Sequence, residues 1–168
     1  MIVVADSGPL IHLSIIGQFF LLKEYLNNVL IIPQVYEEVV TQGKGRPGDS
    51  ELRQAIKDGW VKVESVTDLA LVQGLTSDNI SETDAAVVAC ALEKKANIVL
   101  ADDSGVRELT ESEGLSVIGS VGILVYARQN GLIKNLKTLL HDLVTAGFHL
   151  DPNGQVYQSA LKRVGELK

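Results

Sequence analysis

Acidic residues recur at the points where an apolar run stops or a helix begins. Asp6 closes "MIVVA", and the pair Asp102 and Asp103 closes "NIVLA". Glu82 and Asp84 fall in the first turn of the helical stretch "SETDAAVVACALEKKA", and Glu37 and Glu38 fall early in the stretch opened by Pro33. In parallel α/β sheets, ligands bind beyond the carboxyl ends of the strands. If the helix starts face the same sheet edge, these carboxylates meet in one cleft. Carboxylates that close repel, and some stay protonated unless a cation compensates. Mg²⁺ or Mn²⁺ suits that role, because hard cations take oxygen ligands and keep several waters. Such ions can activate water and stabilise charge on a phosphodiester under attack.

Each acid also has a simpler reading. Ser81 and Asp84 form an S-x-x-D capping box, and Glu82 beside them favours the helix dipole. Asp6 and Asp103 could be the N-caps of the helices that follow them, and Glu37 and Glu38 could be solvated helix surface. The order strand, acid, helix, repeated at both ends of the chain, is what favours a shared cleft over separate caps.

The elements that must position these acids are readable from periodicity. Short continuous apolar runs at 1–5, 29–32 and 97–101 read as buried strands, with a further short strand at "LSVIG". "WVKVESV" (60–66) alternates like a strand. Helices are expected from about Ser7 to Ile16, over "QFFLLKEYL", and from Pro33, a residue suited to a first helical turn, through "QVYEEVV". Helices are also expected over "ELRQAIKDG", over 81–96 and from the acidic pair to about Glu113. The region 67–80 carries no decisive pattern. In the helix over 81–96, Ala85, Val88, Ala89 and Leu92 repeat at i, i+3, i+4 and i+7, a face of mostly small residues that can approach a sheet closely. "TQGKGRPGDS" (41–50) is a loop. From Ser120 the pattern is helical in three pieces. Buried strands alternating with helices imply an α/β fold with a parallel sheet.

A chain of 168 residues fits one domain and can build a full core. Its N-terminus has no basic segment or cleavage-site pattern, no apolar run approaches the roughly 20 residues a membrane span needs, and Cys90 is the single cysteine. These features point to the cytoplasm. The net charge of −6 argues against coating nucleic acid by bulk electrostatics. It leaves room for an enzyme with local basic patches.

With these residues assembled, the chain resembles the PIN-domain nucleases, and most closely a prokaryotic PIN-like family of unknown function. The resemblance rests on "VVADSGPLIHLSIIG", "IIPQVYEEVV", "ETDAAVVACALEKKANIVLADDSGVRE", "GLSVIGSVGILVYARQNGLI" and "LLHDLVTAGFHLD", in that order. It implies a three-layer α/β/α fold over 1–168, with added helices from about residue 120. It also implies four main acids: Asp6, Glu38 (or its neighbour Glu37), Asp84 and Asp103. Glu82 and Asp102 would be supporting metal ligands. Side chains on an extended strand alternate in direction, so only one of Asp102 and Asp103 should face the metal, and Asp103 is favoured. The chain departs from the family in two places. Ser7 is present, but Gly8 stands where a second hydroxyl is common, and Ala101 stands where many relatives have Thr.

The activity implied is Mg²⁺- or Mn²⁺-dependent hydrolysis of RNA, with a 5′-phosphate product. It further implies a role as the toxin of a toxin–antitoxin pair, blocked by a small antitoxin protein. Lys44, Arg46 and Arg107 are candidate contacts for an RNA backbone; Arg107 could equally pair with an aspartate. His12, His141 and His149 show no zinc spacing, and Cys90 reads as core packing. Apolar stripes on the later helices could also support a homodimer. The alternatives are a PIN-like module that binds nucleic acid or protein without turnover, and a phosphohydrolase of small molecules.

Overall fold

The computed structural model describes residues 1–167. Among them, five three-residue strands form one wholly parallel sheet: β1 (Val3–Ala5), β2 (Val29–Ile31), β3 (Val61–Val63), β4 (Ile98–Leu100) and β5 (Ser116–Ile118), in the spatial order β3-β2-β1-β4-β5. β1, β2 and most of β4 are buried, as continuous apolar runs in a parallel sheet should be. The chain builds outward from β1 on one side, then returns to β1's other side with β4. The switch point of the sheet therefore lies between β1 and β4, where α/β folds place their ligands.

Among the described residues, ten α-helices surround the sheet: α1 (Ser7–Ile15), α2 (Phe20–Tyr25), α3 (Pro33–Tyr36), α4 (Asp49–Lys57), α5 (Leu69–Leu75), α6 (Glu82–Glu93), α7 (Ser104–Ser112), α8 (Ser120–Gln129), α9 (Leu136–Thr145) and α10 (Gln155–Arg163). α6 packs on β1 and β4 between α5 and α7, while α1 and α2 pack with α8, giving helix–sheet–helix layers. The central run of α6, Ala85 to Ala91, is wholly buried, and its small side chains let the helix lie close to the sheet. Among the described residues, no helix is long and apolar enough to cross a membrane.

Three elements differ from the sequence expectation. The helix from Pro33 is α-helical only to Tyr36; Glu37–Thr41 then forms a π-helical turn. The Gln42 amide donates to the Glu37 carbonyl at 2.8 Å, and a Cβ on Gly43 would stand 2.3 Å from the Val39 carbonyl oxygen. The strand expected over 60–66 stops at Val63, because β3 is an edge strand whose last residue is 42% exposed. The undecided region contains α5. Asp68 caps it by accepting from the Leu71 amide at 3.0 Å, and Glu93 of α6 accepts from the Thr67 and Asp68 amides. That anchor is supplied from 25 residues away, so local periodicity does not show it.

The C-terminal helices are tied together by Glu166, whose side chain is 14% exposed. It accepts from Arg128 Nε of α8 at 2.8 Å, and from the Leu136 and Lys137 amides that open α9 at 2.8 and 2.9 Å. Burial opposes its charge, and these amides and Arg128 outweigh it, holding the carboxyl below the usual range. A lowered carboxyl stabilises the fold above its unfolded value and loses that contribution as pH falls through its folded value. Glu166→Gln should therefore cost about 2 kcal/mol near neutrality, as loss of charged hydrogen bonds does. The difference from wild type should shrink as pH falls below the ordinary glutamate range. Thermal melts across acidic and neutral pH check this; equal stability at neutral pH would contradict it.

Candidate active site

Asp6 follows β1 directly. Its amide donates to the Leu100 carbonyl at 2.9 Å, which sets the ends of β1 and β4 side by side. Its side chain makes no capping bond to α1, so the simple cap reading does not account for it. Asp6 is 7% exposed. Burial pushes its carboxyl up to about 6; the Ser7 amide offsets part of this, and the negative charges of Asp84, Glu38 and Asp103 push it further. Asp84, partly buried at the start of α6, is also raised by burial. A Ser81 hydrogen bond opposes that rise, and the charges of Asp103 and Glu38 add to it.

Four acids from four separate segments thus act on one another. Among the described residues, no three His, Cys, Asp or Glu side chains stand at the spacing of a closed metal site. The cluster is open: near enough for charge to be felt, wider than a coordination shell. Its donors are all hard oxygens, the set that suits Mg²⁺ or Mn²⁺.

The other sequence candidates separate cleanly. In the π-helical turn, Val39 and Val40 are buried, Glu38 is half-buried and Glu37 is exposed. The wider turn settles which glutamate faces inward, a choice that α-helical periodicity leaves open. Glu82 is exposed in the first turn of α6, beside the cap in which Ser81 Oγ accepts from the Asp84 amide at 3.1 Å. Ser7 is half-buried at the start of α1. Asp103 is exposed and caps α7, its Oδ2 accepting from the Val106 amide at 3.1 Å. Asp102 turns the other way, with both carboxylate oxygens hydrogen-bonded to His12 and Ser120. A Cβ on Gly8 would lie 3.6 Å from Asp102 Cβ and 3.7 Å from His12 Cε1.

Arg46 shares a groove of about 550 Å³ with Glu38, between α1 and the 42–47 loop. Lys44 is exposed on the same loop. The loop is held by Asp49, which accepts from the Gly45 amide at 2.8 Å and from Arg53 Nε at 2.8 Å. Arg107 lies elsewhere: its Nη1 donates to the Ala101 carbonyl at 3.0 Å, and it lines a cavity of about 1030 Å³ together with Asp102. Sequence reasoning had no role for Ser120. The available signal was Gly119, an N-cap with no side chain, which leaves the first amides of α8 to be satisfied from outside.

A family model for the PIN domain matches residues 2–166. The chain belongs to the PIN-domain family. PIN domains are generally nucleases and typically use divalent metals, and the parallel sheet with its flanking helices is consistent with a PIN-like fold. No curated protein matches this PIN domain.

The raised Asp6 carboxyl makes a stability prediction. The folded state holds this proton more tightly than the unfolded chain, so stability falls as pH rises from 3.8 through about 6. The cost above that window is on the order of 2–3 kcal/mol for a shift of this size. Asp6→Asn should melt higher than wild type at about pH 7, with the advantage vanishing below about pH 4. A variant less stable than wild type at neutral pH would contradict the electrostatic account.

Proposed function

We propose that this PIN domain is an endoribonuclease in which Asp6, Glu38, Asp84 and Asp103 hold Mg²⁺ or Mn²⁺. The observation that carries the reading is the mutual effect of these four acids around a buried Asp6 at the sheet's switch point. When bound, the ion supplies activation of water and stabilisation of charge on the phosphodiester. The chain's residues do the rest. Asp6, desolvated and surrounded by like charges, provides the drive for cation capture. Asp103 is steadied by its cap on α7. Glu38 reaches the cluster from the π-helical turn. Arg46, which shares a groove with Glu38, and Lys44 on the same loop attract and orient the RNA phosphates, a contact that positions substrate without reading sequence. In hydrolysis, water oxygen bonds to phosphorus, the P–O3′ bond breaks, and the departing 3′ oxygen takes a proton, leaving a 5′-phosphate. Control by a small antitoxin protein fits the same reading.

Incubation of the purified protein with a mixed RNA pool and Mn²⁺ or Mg²⁺ tests this. Asp6→Asn and Asp103→Asn should lose at least about 100-fold in rate, the upper end of what losing even an outer-shell partner costs. Equal cleavage by wild type and variants would sink the assigned site, and tight RNA binding without cleavage would favour a binding module. The double variant Lys44→Ala, Arg46→Ala should raise KM with kcat little changed. It should also reduce the salt slope of RNA binding by roughly one to two, about 0.7 per lost phosphate contact on a single strand.

A further inference from the structure

The two adjacent aspartates divide two tasks. Asp102 has a side chain only 7% exposed, and three donors grip it. His12 Nδ1 lies 2.7 Å from its Oδ2, Ser120 Oγ lies 2.6 Å from the same oxygen, and the Ser120 amide donates to Oδ1 at 2.7 Å. That amide belongs to the first turn of α8, whose N-cap is Gly119, a residue with no side chain to offer. Asp102 therefore supplies, from 18 residues upstream, the carboxylate that the helix start favours. Gly119 is needed for the approach, because a Cβ there would stand 2.7 Å from Asp102 Oδ1.

Chain direction makes this grip consequential for Asp103. With Asp102 fastened toward α1 and α8, the following side chain leaves on the opposite side, where its charge is felt by Asp6 and Asp84. The backbone just before the pair is pinned as well: the Ala101 amide donates to the Ile118 carbonyl at 2.9 Å. We propose that Asp102, held by His12 and Ser120, is a positioning residue that aims Asp103 at the acidic cluster, and is not itself a metal ligand. His12 also packs edge-on against Phe148, with ring centroids 4.8 Å apart, so the clamp reaches the segment between α9 and α10.

This inference rests on the metal-site reading, and its test separates the two. Asp102 itself is too central to the packing to be a clean probe, so the donors are changed instead. Ser120→Ala removes the hydroxyl and keeps the amide. His12→Phe removes the ring donor and keeps the contact with Phe148, whereas His12→Asn restores a donor near Nδ1. Two readouts on the full chain apply: Mn²⁺ affinity by calorimetry, and hydrogen exchange of the Val106 amide that Asp103 caps. Ser120→Ala and His12→Phe should weaken Mn²⁺ binding about tenfold, as loss of an outer-shell partner does. They should also speed Val106 exchange, while His12→Asn stays close to wild type. Val106 exchange unchanged in both depleted variants overturns the clamp. If wild-type protein binds no Mn²⁺, the metal reading falls, and Val106 exchange still decides the clamp.

Discussion

Four carboxylates gathered at the carboxyl ends of β1 and β4 repel one another, and the one that ends β1 is buried among them. The sheet and the helices packed on it hold that arrangement against the repulsion. The sheet order places β1 at the centre with β4 beside it, so residues nearly a hundred positions apart meet across one hydrogen bond, Asp6 amide to Leu100 carbonyl. The strands need only three residues each, because buried Val, Leu and Ile side chains bring roughly 1.5–3 kcal/mol apiece. That burial outweighs the cost of one misplaced charge. The small-residue helix α6 serves the same end by bringing Asp84 close to the sheet.

Much of this was legible in the sequence, for physical reasons that can be named. Continuous apolar runs ended by an acid mark parallel strands whose ends face a ligand, and this placed Asp6 and the Asp102–Asp103 pair. The side-chain alternation of extended chain anticipated that the two aspartates diverge. Periodicity alone did not choose between Glu37 and Glu38, because a π-helical turn has a different phase from the α-helix that periodicity assumes; only the resemblance to the family favoured Glu38. The partners of Asp102 and the anchor of α5 were hidden for another reason. Ser120, His12 and Glu93 act across long sequence separations, and no local pattern records which distant donor a carboxylate will meet.

The caps clarify how one residue type can serve structure and chemistry together. Asp103 holds the α7 N-terminus and stays within electrostatic reach of Asp6; Asp102 holds the α8 N-terminus and turns away. Asp6 caps nothing. A buried acid without a capping role reduces stability, which is the expected signature of a site kept for binding over folding. Glu166 shows the opposite balance, its three hydrogen bonds joining α8 to the start of α9.

The most direct test of the account is the carboxyl titration of Asp6 by carbon-detected NMR, with and without Mg²⁺. Without the ion, Asp6 should titrate near 6, well above its ordinary 3.8; saturating Mg²⁺ should bring the midpoint down below the ordinary aspartate range. An Asp6 that titrates at an ordinary aspartate value and ignores Mg²⁺ would contradict the claim that these four acids form one cation-seeking unit.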